Sequence, residues 1–89
     1  MKIENMTSKN GNKIVNQFII SDLAVRYFQS YDTIIAKKCA GVTTLDKEKW
    51  DYSVTTGKYR NLFLGETKRE TEKKIKSGEA AIRIGYSVP

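Results

Sequence analysis

Apolar positions in the first half of the chain recur at short, strand-like intervals, then give way to helical spacing. Residues 13–20 read as a strand with Val15, Phe18 and Ile20 apolar, although the alternation is imperfect. Ser21-Asp22 signals a turn, and residues 23–31 a second strand. Its period of two puts Val25, Tyr27 and Gln29 on one face and Arg26, Phe28 and Ser30 on the other. Tyr31-Asp32 turns the chain into a third strand, residues 33–40, β-branched at its start. Ala40-Gly41 leads into a short fourth, residues 42–45, and the tight connections make these runs a meander. Residues 1–12 show little periodicity and are expected to form a flexible arm, with Ile3 able to add a short edge strand.

The pattern changes at Asp46. Residues 46–50 suit a single turn capped by Asp46, with Trp50 anchoring it against the sheet. Ser53 or Thr55 can cap a helix running to Leu64, with Gly65 at its C′ position. Tyr59, Leu62 and Phe63 stand at i, i+3 and i+4, the face expected to meet the sheet beside Ile34 and Phe18. Thr67-Lys68-Arg69-Glu70 is a capping box that opens a second helix, ended by Ser77-Gly78. Ile75 is its only large apolar residue, so that helix is expected to lie mostly exposed, with Glu70–Lys74 and Glu72–Lys76 as i,i+4 ion pairs. Residues 80–84 suit a last strand. The organisation predicted is one α+β domain over residues 13–85, a small antiparallel sheet of three to five strands with two short helices after the meander. Residues 86–89 read as a tail, and no internal repeat is visible.

The side-chain inventory narrows the chemistry. The chain has 89 residues and no histidine, which removes Ser-His and Cys-His nucleophile systems and nearly all zinc sites. Its single cysteine, Cys39, falls in a strand run where a buried, inert thiol is usual, and it suits a reducing compartment. Asp46, Glu48 and Asp51 are the one carboxylate cluster, and capping with surface charge explains them more simply than a metal or an acid/base pair. No glycine-rich phosphate loop appears, and no apolar run approaches membrane-spanning length. Residues 1–13 lack the apolar stretch of a signal peptide. The expectation is a non-enzymatic, cytoplasmic protein with no cofactor, no metal and no membrane partner.

Binding is what remains. The formal net charge of +6 favours an anionic partner, although it serves solubility equally well. Lys58 and Arg60 flank Tyr59 and are expected to point outward. The second helix adds Lys68, Arg69, Lys73, Lys74 and Lys76, and together these seven form the candidate partner- or phosphate-binding face, interrupted by Glu70 and Glu72. Tyr27, Tyr31 and Tyr52 are the candidate aromatic contacts, since aromatics beside basic residues on a sheet can stack on bases. Of Tyr27 and Phe28 one must face away from the core. An open sheet edge adds homodimerisation to the partner readings.

Three separated pieces carry a family resemblance. They are Y-F-Q-S-Y-D-T-I-I-A (residues 27–36), T-L-D (residues 44–46) and W-D-Y-S-V-T-T-G-K-Y-R-N-L-F-L-G (residues 50–65). In this order they resemble a widespread group of small phage and prophage proteins of unknown function, over roughly residues 16–78. The resemblance implies a small α+β fold and a phage context but no activity. The aromatic or histidine usual after the T-T-x-K/R helix start is Tyr59 here, and Thr55-Thr56 is most simply a cap. Small phage proteins commonly act on the host. The function expected is therefore a non-enzymatic accessory protein in the bacterial cytoplasm. It would bind and inhibit a host protein or protein–nucleic-acid complex, most plausibly an anti-phage defence complex, in the manner of an anti-CRISPR. A small DNA- or RNA-binding protein is the alternative, and a nucleotide-binding sponge a third reading.

Overall fold

Six strands in sequence order make one sheet, β1 (Lys2–Thr7), β2 (Lys13–Asp22), β3 (Val25–Ser30), β4 (Thr33–Cys39), β5 (Val42–Asp46) and β6 (Ala80–Arg83). The computed structural model describes residues 1–83, so the predicted strand end at Ile84 and the tail at 86–89 lie outside the described residues. β1 to β5 are antiparallel neighbours, whereas β6 runs parallel to β5. Parallel neighbours need a long crossover, and two helices supply it: α1 (Val54–Leu64) and α2 (Lys68–Ser77). The α+β class and the helices after the meander are as the pattern predicted, with one strand more than its upper limit.

The additional strand comes from the segment expected to be an arm. Lys2–Thr7 pairs with β2 through Lys2↔Ser21, Ile3↔Ile20, Glu4↔Ile19 and Asn5↔Phe18. The register then breaks between Asn5 and Thr7, and Met6 turns into the core. Asn5 Nδ2 donates to the carbonyl of Ile14 at 2.7 Å and to that of Met6 at 3.0 Å, tying the break together. The short edge strand that Ile3 suggested is present, with Ile3 and Met6 on opposite faces as alternation requires.

The β2–β3 hairpin turns at Leu23-Ala24, two residues later than Ser21-Asp22 suggested, because β2 continues to Asp22. The last turns at Ala40-Gly41, where both residues have positive φ, 51° and 78°, as a type I′ turn requires.

A bulge in β4 sorts its apolar run. Phe28 pairs with Ala36 and Gln29 with Ile34, leaving Ile35 as the extra residue. Ile35 and Ala36 therefore join the main core on the helix side, with Met6, Phe28, Leu45, Phe63 and Leu64. The rings of Phe28 and Phe63 stack at 5.9 Å. Ile34 lies on the opposite face with Ile20 and Tyr27, away from Trp50 and Phe63. Tyr27 and Phe28 do point to opposite sides, as alternation demands, and yet both are buried.

Candidate functional site

The face of α1 that meets the sheet is Thr56, Gly57, Arg60, Phe63 and Leu64. Only two of these are large and apolar. Apolarity alone therefore selected the wrong stripe: Leu62 is 61 % exposed, and Tyr59 only packs at the margin of the core. The helix is capped by Ser53, whose Oγ accepts from the Thr56 amide at 3.1 Å, rather than by the Thr55-Thr56 pair. Thr56 is buried and its hydroxyl lies 2.9 Å from that of Ser30, which pins the first turn of α1 to β3.

Arg60 is the largest correction. Expected outward, it is 1 % exposed and is the largest fully buried side chain among the described residues. Its guanidinium lies over the Trp50 ring at 4.9 Å, and Nη1 donates to the Trp50 carbonyl at 2.5 Å. Nη1 also reaches Asp51 Oδ1 at 3.2 Å, and Nη2 donates to Asn61 Oδ1 at 2.9 Å. The other Asp51 oxygen takes Lys68 Nζ at 2.6 Å. One carboxylate thus ties the turn after β5 to both helices. Burial tends to raise the Asp51 carboxyl, but the hydrogen bonds and charges of Lys68 and Arg60 outweigh it and hold the pKa below its ordinary value. The same contact raises Lys68.

A second knot fixes α2 to the turn before it. Lys74 Nζ meets Glu66 Oε2 at 2.6 Å, and buried Thr71 donates its hydroxyl to Glu66 Oε1 at 2.8 Å. Hydrogen bonding to Glu66 raises Lys74. The predicted Glu70–Lys74 and Glu72–Lys76 pairs do not form. Glu70 instead closes the capping box, accepting from the Thr67 amide at 3.0 Å while Thr67 Oγ1 accepts from the Glu70 amide at 3.2 Å.

The seven basic candidates therefore do not make one face. Arg60, Lys68 and Lys74 are committed to Asp51 and Glu66. Arg69, Lys73 and Lys76 stand exposed around Glu72 in a shallow depression of about 370 Å³ on α2. Lys58, exposed with its ammonium 5.4 Å from the Tyr59 ring centre, belongs to another depression. Of the aromatic candidates, Tyr27 is buried, whereas Tyr31 and Tyr52 are nearly half exposed. Lys49 lies 5.1 Å over the Tyr52 ring.

That other depression is what the sequence reading missed. A groove of about 1020 Å³ runs between the 51–54 segment, the outer side of α1 and the start of α2. Tyr52, Val54 and Leu62 line it, with Lys58, Asp51 and Lys68 among its charged groups. Val54 is 92 % exposed, and nothing in its position at the first residue of α1 requires an apolar side chain. The signal available in the sequence was that excess: Val54 and Leu62 have no place in the stripe that Phe63 and Leu64 define.

The carboxylate cluster disperses. Asp46 is buried and accepts the amides of Glu48 and Lys49 at 2.9 and 3.0 Å, as a cap, while Asp51 is held by Arg60 and Lys68. Among the described residues no three His, Cys, Asp or Glu side chains are grouped to hold a metal ion. Nor is any helix among them long and apolar enough to cross a membrane.

Fold and surface together define a small α+β protein in which Arg60, Lys68 and Lys74 are held in ion pairs and whose outer helical surface carries an apolar groove. The chain belongs to a family of unknown function, DUF8033, whose model matches residues 1–79 and so takes in β1, the meander and both helices. No curated protein and no solved structure matches it.

Proposed function

We propose that this protein is a non-catalytic binding module that docks a protein partner in the groove beside α1. It would serve as a small accessory protein of the phage type its sequence resembles, inhibiting a host factor such as a defence complex. The observation that supports this reading is the exposure of Tyr52, Val54 and Leu62 along one groove. Solvent-facing apolar side chains gathered in a concavity favour a protein partner over a phosphate backbone. Lys58 at the groove and the net charge of +6 favour an acidic rim on that partner.

The test is affinity capture from bacterial host lysate with the immobilised protein, one arm treated with nuclease. A captured protein that survives nuclease and moderate salt supports the reading. Val54→Asp and Leu62→Asp, both at exposed positions, should each weaken capture by about tenfold or more. Capture that vanishes with nuclease, or that ignores both substitutions, would defeat it.

A second reading rests on the stripe Arg69, Lys73 and Lys76, spaced i, i+4 and i+7 on α2 and without an ion-pair partner among the described residues. Direct DNA or RNA binding through this stripe would show a salt-dependent mobility shift lost on Lys73→Ala/Lys76→Ala. The groove's acidic side chains, Asp51, Glu66 and Glu70, balance its basic ones, Lys58, Arg60 and Lys68, so it offers a nucleotide phosphate no net positive charge, which favours a protein partner over a nucleotide sponge.

A further inference from the structure

We infer that β1 is a self-association edge: two copies of this chain pair antiparallel through Lys2–Glu4 about a two-fold axis at Ile3. This surface is separate from the groove and does not depend on the reading above.

β1 is the outer strand of the sheet, so among the described residues one side of its backbone has no strand beside it. Proteins blunt such edges with like charges, bulges or prolines. Here alternation turns Met6 inward, and the register shift beyond Asn5 leaves only the first part of β1 as a straight edge. Its charges are of opposite sign. Lys2 and Glu4 share one face of the strand, Lys2 Nζ lying 3.6 Å from Glu4 Oε1, and both are largely exposed. In antiparallel pairing about Ile3, Lys2 falls opposite Glu4 of the second copy, and Glu4 opposite its Lys2. Two lysines at these positions would repel a second copy, whereas this pair is complementary to itself in that one register.

The other face of the strand supplies the apolar part. Ile3 is 63 % exposed, while its neighbour Ile20 and the next in the row, Tyr27, are buried. Pairing places Ile3 against Ile3 and joins the two rows into one apolar band, Tyr27–Ile20–Ile3 with its mirror. It also covers the one member of the row that water now reaches. Three residues a side is a small interface, so the dimer is weak and concentration-dependent.

Sedimentation equilibrium tests this, over roughly 10 μM to 1 mM. Wild type should show a reversible monomer–dimer equilibrium in that range. Lys2→Glu places glutamate opposite glutamate, and Glu4→Lys places lysine opposite lysine. Each alone should weaken the dimer about tenfold or more, about 1.4 kcal/mol. An equimolar mixture of the two variants restores both opposite-charge pairs and should associate as wild type does, as should the Lys2→Glu/Glu4→Lys double variant. Circular dichroism of each variant checks that the fold is kept, as their exposure leads one to expect. A wild type that stays monomeric throughout overturns the inference. So does a dimer indifferent to the single substitutions, or single variants that fail to recover on mixing.

Discussion

At the scale of single residues, two positions contradict what their side chains suggest. Arg60 is a charge in the core, and Leu62 a hydrophobe in water. Arg60 survives burial because a ring, a carbonyl, a carboxylate and a side-chain amide surround its guanidinium. Removing it leaves a cavity under Trp50 and strands the Trp50 carbonyl. In urea denaturation Arg60→Ala should lose about 2–4 kcal/mol, while Leu62→Ala stays within about 0.5 kcal/mol of wild type. Ala40 is a third instance. It adopts φ 51° beside Gly41 in a turn that prefers Asn-Gly, and a Cβ in the left-handed region is strained. Ala40→Asn should stabilise by about 0.5–1 kcal/mol, read as a rise in Tm of a few degrees.

Beside the apolar core and the strand ladders, two ionic knots tie elements to one another, and the Asp51 knot carries a pH signature. Its folded-state pKa is depressed, so its contribution to stability is present above the unfolded value and is lost as the pH falls through the folded one. Thermal melts between about pH 2 and 6 should show a shallower acid limb for Asp51→Asn than for wild type, with lower stability at neutral pH. Glu70, depressed by its capping-box bonds, acts with the same sign in both proteins and cancels from the comparison. These elements differ in how far the residues announced them. The β2–β5 meander, both helices, the Thr67 capping box and Gly65 as a helix stop follow from short-range rules of periodicity and capping. Arg60 does not, because its burial depends on Trp50 and Asp51 arriving from the preceding turn, a tertiary fact that no helical wheel contains. β1 showed only as a possible edge strand at Ile3, because few of its positions are apolar, and the groove was hidden because an apolar helix residue is ordinarily assigned to the core. Lys68 was counted as a free cation and Lys74 was given Glu70 as its partner, because their actual partners, Asp51 and Glu66, lie outside the helix on which they sit.

Across the whole molecule, charge is less available than the net value of +6 suggests. Only three exposed cations share the α2 depression. If duplex DNA binds there, the slope of log affinity against log salt should be no steeper than about −3, measured by filter binding. A steeper slope would mean that cations elsewhere in the chain track the phosphates. The sheet, too, is completed from a distance. β5 gains its outer neighbour only when β6 returns beyond both helices. On the ribosome, roughly 35 residues must follow β5 before that strand exists, about 2–7 s of elongation during which a nascent chain presents an unguarded backbone edge. A trigger-factor-like holdase, or the tunnel itself, would shield it over that interval, so the yield of soluble product should respond to translation speed across the codons for α1 and α2.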